Sequence, residues 1–166
     1  MAAWSEAVAA TAQRPTDGRQ SDAALRIARG VRRWLKQAGY VTVCEMPLPN
    51  GRRADVVALA PDGALVIVEV KSSLADLRAD GKWPDYRAHC DKLFFAIGLD
   101  TPADPFPPDA GLLVADAFGA DIVRDAPEHR LAPATRRATI LRFARLAAER
   151  LHRLDDPDPS GPVRGR

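Results

Sequence analysis

Two carboxylates and one ammonium group interrupt a stretch of chain that otherwise reads as buried β-structure. Asp55 lies in the apolar segment ADVVALA, and Glu69 and Lys71 lie in ALVIVEVK, which is rich in β-branched residues. Because the side chains of a strand alternate between its two faces, Glu69 and Lys71 point the same way. A turn at the sequence PDG between the segments would bring Asp55 opposite them. The sequence therefore predicts that three charged groups converge at one sheet edge.

The chemistry of such a group depends on how its charges are compensated. Buried carboxylates without partners are very costly, so they must pair with cations, bind a metal ion or stay hydrated. Oxygen ligands favour Mg²⁺ or Mn²⁺, which can activate water against a phosphodiester. In that interpretation Asp55 and Glu69 hold the cation, and Lys71 stabilises the transition state or orients the water. The alternative is a salt bridge of Glu69 with Lys71 or Arg53 at a solvated strand end.

The surrounding segments predict the elements that would position these residues. Apolar residues at helical spacing predict a first helix that begins at Ser21 or Asp22 and ends at Gly39. The elements predicted after it are strands at 40–46, 54–60 and 64–71, a helical region at 73–91 broken near Gly81 and Pro84, a strand at 92–98, a hairpin at 111–117 and 120–126, and an arginine-rich helix from about Thr135 to His152. This order predicts an α/β fold, a mixed β-sheet flanked by helices in the order αβββαβ, with an extra hairpin and a C-terminal helix.

Length and composition indicate one globular domain. The chain has 166 residues, of which 46% are hydrophobic, and this is enough for a single core. Residues 1–20 are predicted to be a mobile leader, 21–153 the folded domain and 154–166 a disordered tail. The net charge of +2 excludes a general polycation, so any affinity for nucleic acid must come from local patches.

The sequence also bears on redox chemistry and location. Its two cysteines, Cys44 and Cys90, suggest neither a disulfide scaffold nor a zinc site. It contains no apolar run long enough to cross a membrane and no signal peptide. We therefore expect a cytoplasmic protein with no membrane partner.

A longer pattern around the charged residues resembles a known family. The segments RRADVVAL and LVIVEVKSS, followed by DLRADGKWPDYRAHCDKLFFAI, resemble the MmcB-like DNA-repair family within the PD-(D/E)xK nuclease-like superfamily. The resemblance covers about residues 21–152. It implies a restriction endonuclease-like core and a metal-dependent DNA endonuclease, a hydrolase acting in repair of cross-linked or otherwise damaged DNA. By the same resemblance, Asp55 and Glu69 match the metal-binding acids and Lys71 matches the catalytic lysine.

The sequence departs from the superfamily pattern in its first helix. Many members carry a further glutamate there, whereas residues 23–38 of this chain include no acidic residue. Glu45, on the first predicted strand, either supplies the missing metal ligand or is an ordinary strand-end charge. Without a substitute, the alternative function is a non-catalytic DNA-binding repair module with a vestigial nuclease site. Symmetric cleavage of two strands would require a homodimer, and the sequence identifies neither a dimer surface nor a partner protein.

Candidate DNA contacts lie mainly in the second part of the pattern. Arg78 and Lys82 could contact phosphates, as could Arg53 beside Asp55. Trp83 and Tyr86 could stack on bases, although packing against the sheet is the favoured interpretation of both aromatic residues. The arginines of the C-terminal helix either bind the duplex backbone or form a solvated helix face.

Overall fold

A mixed β-sheet with helices on both faces organises the chain. The computed structural model describes residues 21–157, so the predicted leader and positions 158–166 of the predicted tail lie outside it. In chain order the elements are α1 (Asp22–Gln37), β1 (Val41–Pro47), β2 (Arg53–Leu59), β3 (Leu65–Lys71), α2 (Leu74–Ala79), a 3-10 helix (Trp83–His89), β4 (Lys92–Ile97), β5 (Gly111–Ala115), β6 (Ala120–Arg124) and α3 (Pro133–Asp155). This arrangement confirms the predicted α/β fold and element order.

The six strands lie in the sheet in the order of the sequence. Strands β1, β2 and β3 are antiparallel, β4 and β5 continue in parallel from β3, and β6 pairs antiparallel with β5. The two antiparallel connections at the start turn at Gly51 and Gly63, which have φ angles of +80° and +86°. Only glycine adopts such angles without strain, so both turns are set locally. The parallel step from β3 to β4 needs a crossover, which α2 and the 3-10 helix supply.

Helix α1 covers one face of the sheet. It begins at Ser21, whose hydroxyl accepts a hydrogen bond from the Ala24 amide at 3.2 Å, and Gly39 follows its end with a φ of +86°. Its buried side chains pack on those of β3, β4 and β5 that point to this face. The core on this side includes Ile27, Val31, Leu35, Val66, Val68, Phe94, Ala96 and Leu113.

The opposite face is covered by α3, α2 and the 3-10 helix. Leu65 and Ile67 of β3 lie in this second core, together with Tyr86 and Phe143. Since side chains alternate along a strand, Glu69 and Lys71 belong to the same face as Leu65 and Ile67. The sheet therefore presents its charged residues beneath the 3-10 helix and away from α1.

The predicted break near Gly81 is present in the structure, and one predicted helix is longer than expected. The helical region at 73–91 is divided into the short helix α2 and a 3-10 helix, in which Pro84 occupies the first turn. Proline removes a backbone donor, so the chain tightens there without continuing an α-helix. Helix α3 is longer than predicted at both ends and runs through Asp155, past the expected end of the domain at 153. Pro133 is compatible with its first turn, where the missing amide needs no partner.

A buried ion pair fixes α3 to the sheet. Asp91 is 4% exposed, and its two carboxylate oxygens accept hydrogen bonds from both terminal nitrogens of Arg136 at 2.6 and 2.7 Å. The same carboxylate accepts the amides of Leu65 and Leu131 at 2.8 and 3.0 Å. These contacts lower the pKa of Asp91 against the opposing effect of burial. Asp91 therefore joins β3, β4 and the start of α3.

Candidate active site

The two predicted acidic residues meet where β2 and β3 stop pairing through their backbones. The last backbone pair between these strands is Val56 with Val68. Beyond it, the Asp55 amide donates to Oε1 of Glu69 at 3.1 Å, and the Val70 amide donates to Oδ2 of Asp55 at 2.8 Å. Side-chain carboxylates thus take the place of backbone acceptors. One oxygen of each carboxylate is held by the sheet itself, which limits rotation of both groups.

Burial makes this carboxylate pair electrostatically unfavourable. Glu69 is 2% exposed, and removal from water raises its pKa to about 8, with the neighbouring charge of Asp55 acting in the same direction. Burial likewise raises the pKa of Asp55 to about 6, and the charge of Glu45 adds to the effect. Two adjacent acids whose pKa values lie on either side of neutrality retain about one proton near pH 7. The pair is suited to exchanging that proton for a cation.

Lys71 lies on the same face but is ion-paired to a residue that the sequence analysis did not select. Its Nζ lies 2.6 Å from Oδ2 of Asp80, and Lys71 is 7% exposed. Asp80 also lies 3.7 Å from a guanidinium nitrogen of Arg52, which in turn bonds Asp85 at 3.0 Å. The positive charge of Lys71 lowers the pKa values of Asp55 and Glu69, although burial dominates both. Asp80 lies in the segment DLRADGKW, which is part of the family resemblance. Its place in that segment was the one signal in the sequence that could have identified Asp80 as a residue of the site.

Glu45 approaches the site from β1. Its Oε2 lies 2.5 Å from Nε of Arg53, and its charge contributes to the raised pKa of Asp55. Glu45 has a φ of 51°, in the left-handed region that is strained for a residue with a side chain. The salt-bridge partner of Arg53 is therefore Glu45, and that of Lys71 is Asp80. The simple alternative, in which Glu69 pairs with one of these two cations, does not describe the arrangement.

Both aromatic residues of the pattern pack against the sheet, as the favoured interpretation predicts, with Tyr86 buried and Trp83 partly exposed. Tyr86 is 5% exposed, and its hydroxyl acts to lower the pKa of Glu69 against the larger effect of burial. Burial and the charge of Glu69 raise the pKa of Tyr86. Trp83 makes an edge contact with Phe95, with ring centroids 5.7 Å apart. In this structure Tyr86 presents no ring face to a base.

The predicted phosphate contacts of this segment lie at the surface. Arg78 and Lys82 are both exposed, so their assignment as DNA contacts stays a prediction. Arg53 is also exposed, beside Glu45. Two arginines of α3 serve the fold: Arg136 binds Asp91, and Arg150 donates to the carbonyl oxygen of Cys44 at 2.5 Å.

The donor set for a metal ion is small. Within residues 21–157 no group of three or more histidine, cysteine, aspartate or glutamate side chains is arranged to hold a metal. Mg²⁺ commonly uses one or two carboxylates and keeps several water ligands. The pair formed by Asp55 and Glu69 fits that requirement, and its raised pKa values are those expected of acids that need a counter-charge.

Comparison with known proteins places this chain in a family. Residues 11–158 match the model of a family described as MmcB-like, DNA repair protein MmcB-like. The chain belongs to the MmcB-like family. This membership confirms the resemblance that the sequence segments indicated, and it associates the MmcB-like fold described above with DNA repair.

Solved structures give one extensive match to this MmcB-like chain. SPO1766, a protein of unknown function from Silicibacter pomeroyi, is 46% identical with a TM-score of 0.80, over 87% of this chain and 99% of that chain. A repair endonuclease from Pyrococcus abyssi is 19% identical with a TM-score of 0.28, over 42% of this chain and 32% of that chain. A likeness this slight supports no argument about fold or function. No curated protein gives a significant match.

Among residues 21–157 no helix has both the length and the apolar character needed to cross a bilayer.

Proposed function

We propose that this MmcB-like protein is a DNA endonuclease that hydrolyses phosphodiester bonds during repair, with Mg²⁺ or Mn²⁺ as its cofactor. One observation carries the proposal. The half-buried Asp55 and the buried Glu69 lie side by side at the open end of the β2–β3 pair, with pKa values raised to about 6 and about 8. An acid pair of this kind is unfavourable for folding, and such groups concentrate at functional sites.

Each residue of the site has a distinct role in this proposal. Asp55 and Glu69 would hold the cation, which when bound acts as a Lewis acid on the scissile phosphate and on a water molecule. The backbone amides of Asp55 and Val70 orient the two carboxylates before any cation arrives. The hydroxyl of Tyr86 acts to lower the pKa of Glu69. Glu45 would join the ligand set only after leaving Arg53.

Lys71 would neutralise the negative charge that develops on the phosphate. Its present partner, Asp80, is an anion at 2.6 Å. A DNA phosphate that binds Lys71 would therefore replace one negative group with another. The exchange requires the segment that carries Asp80, between α2 and the 3-10 helix, to move away from β3. Such a movement would also expose the carboxylate pair.

A cleavage assay on labelled DNA tests the proposal. The substrates are a single strand, a duplex, a flap, a fork and a cross-linked duplex, each with Mg²⁺, with Mn²⁺ and with EDTA. We expect metal-dependent cleavage, reduced at least about 100-fold in Asp55→Asn and in Glu69→Gln because a ligand charge is lost. Glu149→Gln, which removes an exposed carboxylate from α3, is the matched control and should cut like the wild type. Full activity of Glu69→Gln at equal metal concentration would refute the assignment.

The second candidate is a non-catalytic DNA-binding repair module that retains the fold. Two observations favour it: Lys71 is engaged by Asp80, and residues 23–38 supply no further acidic ligand. This candidate predicts DNA binding that persists in EDTA and no cleavage with either metal. Binding without cleavage across the whole panel would replace the first proposal with this one.

A further inference from the structure

The outer face of α1 is strongly basic. Residues 23–38 contain no acidic residue, although the whole chain carries a net charge of only +2. The charge is therefore concentrated on this helix. Its basic residues are Arg26, Arg29, Arg32, Arg33 and Lys36, all of them exposed apart from the half-buried Arg33. A row of cations without interspersed carboxylates is complementary to a polyanion.

The turn between β5 and β6 is fixed against the middle of this helix. A Cβ atom at Gly30 would overlap the carbonyl oxygens of Asp116 and Gly119, so only glycine permits the close approach. Oδ1 of Asp116 accepts the amides of Phe118 and Gly119 at 2.7 and 2.9 Å, which shapes the turn. Arg33 donates to the carbonyl oxygen of Ala117 at 3.3 Å. The turn is thus positioned by backbone contacts on both sides.

This turn holds an aromatic ring in solvent. Phe118 is 75% exposed, and the guanidinium carbon of Arg33 lies 5.9 Å from the centre of its ring. A cavity of about 430 Å³ lies between the ring and the helix, lined by Arg33, Lys36, Gln37 and Phe118. An exposed phenylalanine contributes nothing to the core, and here it is oriented beside two cations.

Nucleic acid with unpaired bases fits these features. Proteins that bind single strands combine aromatic rings, on which bases stack, with basic residues that follow the phosphates. Stacked bases inside a duplex do not offer their faces to a protein side chain. We infer that α1 and the β5–β6 turn form a binding surface for single-stranded DNA. An unpaired base stacks on Phe118, and Arg33 and Lys36 contact the adjoining phosphates.

A second cavity lies beside this surface. It has a volume of about 360 Å³, and its lining includes Arg26, Ser72 and Phe118 together with the two acidic residues Asp100 and Asp116. Ser72 directly follows Lys71 at the end of β3. The cavity lies on the α1 side of the sheet, whereas Lys71 and the carboxylate pair lie on the opposite face, so the inferred single-strand surface is separate from the candidate active site. The inference takes DNA as the partner, as the proposed function does, but it does not require cleavage.

Binding of fluorescein-labelled DNA to the full chain in EDTA tests the inference. The probes are a short oligothymidine strand and a blunt duplex of the same length, measured by fluorescence anisotropy. Phe118→Ala should raise the Kd for the single strand about 5- to 100-fold through loss of one stacked base, and change the Kd for the duplex less than about twofold. Phe118→Trp should retain tight binding because the indole ring also stacks. Leu141→Ala removes an exposed apolar side chain from α3 and should change neither Kd.

The cationic part of the surface is tested by salt dependence. Arg33→Gln combined with Lys36→Gln should reduce the slope of log K against log salt for the single strand by about 1.4, since two phosphate contacts are lost. Arg142→Gln combined with Arg145→Gln removes two exposed arginines from α3 and serves as the charge-matched control. The control should leave the single-strand slope unchanged.

Three results would overturn the inference. They are unchanged single-strand binding in Phe118→Ala, an equal loss for both probes, and a dimer that Phe118→Ala converts to a monomer in sedimentation. The last would identify the surface as a contact between two copies of the chain. Since EDTA prevents metal-dependent cleavage, none of these results depends on whether the protein proves to be a nuclease.

Discussion

At the scale of single residues, the candidate site contains two neighbouring acids, Asp55 and Glu69, whose negative charges repel each other. Burial raises the pKa values of Asp55 to about 6 and of Glu69 to about 8, above their ordinary values of 3.8 and 4.5. Between roughly pH 4 and pH 8 the folded protein therefore binds more protons at these groups than the unfolded chain does. The free energy of unfolding falls as pH rises through that window. The pair weakens the fold most where it is most ionised.

Replacing one acid of the pair should stabilise the protein. We expect Glu69→Gln to increase the free energy of unfolding by about 1–3 kcal/mol at pH 8, because the ionised side chain and its repulsion with Asp55 are removed. At pH 5, where the pair of the wild type is largely protonated, the gain should be much smaller. Urea denaturation of both proteins at the two pH values measures the difference. A loss of stability at pH 8 would instead indicate that Glu69 serves the fold as part of an ion-pair network.

At the scale of elements, one contact joins β3 to the segment that covers it. The pair of Lys71 and Asp80 links β3 to the segment between α2 and the 3-10 helix across 2.6 Å. Both side chains are largely buried, so their attraction is screened little by water. The cover also contributes Tyr86 and Trp83 to the core beneath it. The contact between Lys71 and Asp80 therefore helps to hold this segment against β3.

A double-mutant cycle should measure this coupling. Lys71→Met, Asp80→Asn and their combination should give an interaction energy of about 1–3 kcal/mol in urea denaturation, since each charge is buried with its partner. The same cycle on Lys92 and Asp125, which lie 3.3 Å apart at the surface, provides the comparison and should give less than about 1 kcal/mol. Equal coupling in the two cycles would mean that the buried contact does not restrain the cover.

At the scale of the whole molecule, positive charge is arranged differently on α1 and on α3. On α1 the basic residues are exposed and accompanied by no acidic residue from 23 to 38. On α3, by contrast, Arg136 and Arg150 are committed to the fold through Asp91 and the backbone of β1. Four of the remaining arginines of α3, namely Arg137, Arg142, Arg145 and Arg153, are exposed. The arginine content of a helix alone therefore does not identify a DNA-binding surface.

Removing the structural arginine of α3 should destabilise the whole domain. Arg136→Leu leaves the buried carboxylate of Asp91 without its cation, and we expect a loss of about 3–5 kcal/mol in the free energy of unfolding. Arg137→Leu, at the exposed neighbouring position of the same helix, should change stability by less than about 0.5 kcal/mol. Thermal denaturation of the two variants provides the comparison. Similar melting temperatures would show that the ion pair does not anchor α3.

The sequence by itself determined most of the fold, because the signals involved are local. Strand alternation, glycine turns and the Ser21 cap depend on neighbouring residues, and each is present in the structure as predicted. The convergence of Asp55 with Glu69 also followed from strand pairing across a short turn. The predicted length of α3 was less accurate, and the second part of the helical region at 73–91 is a 3-10 helix. Proline and the ends of helices respond to packing as well as to local preference.

Only the tertiary structure decided which partners the charged groups take. Lys71 pairs with Asp80, and the hydroxyl of Tyr86 acts on the pKa of Glu69. In each case the two residues lie on different elements of the chain. The placement of Phe118 depends likewise on the contact of its turn with Gly30, far away in the sequence. Charge pairing, burial and pKa shifts arise from distances between elements, and no local pattern encodes those distances. The sequence thus named the acids of the candidate site, and packing determined how they are buried, held and covered.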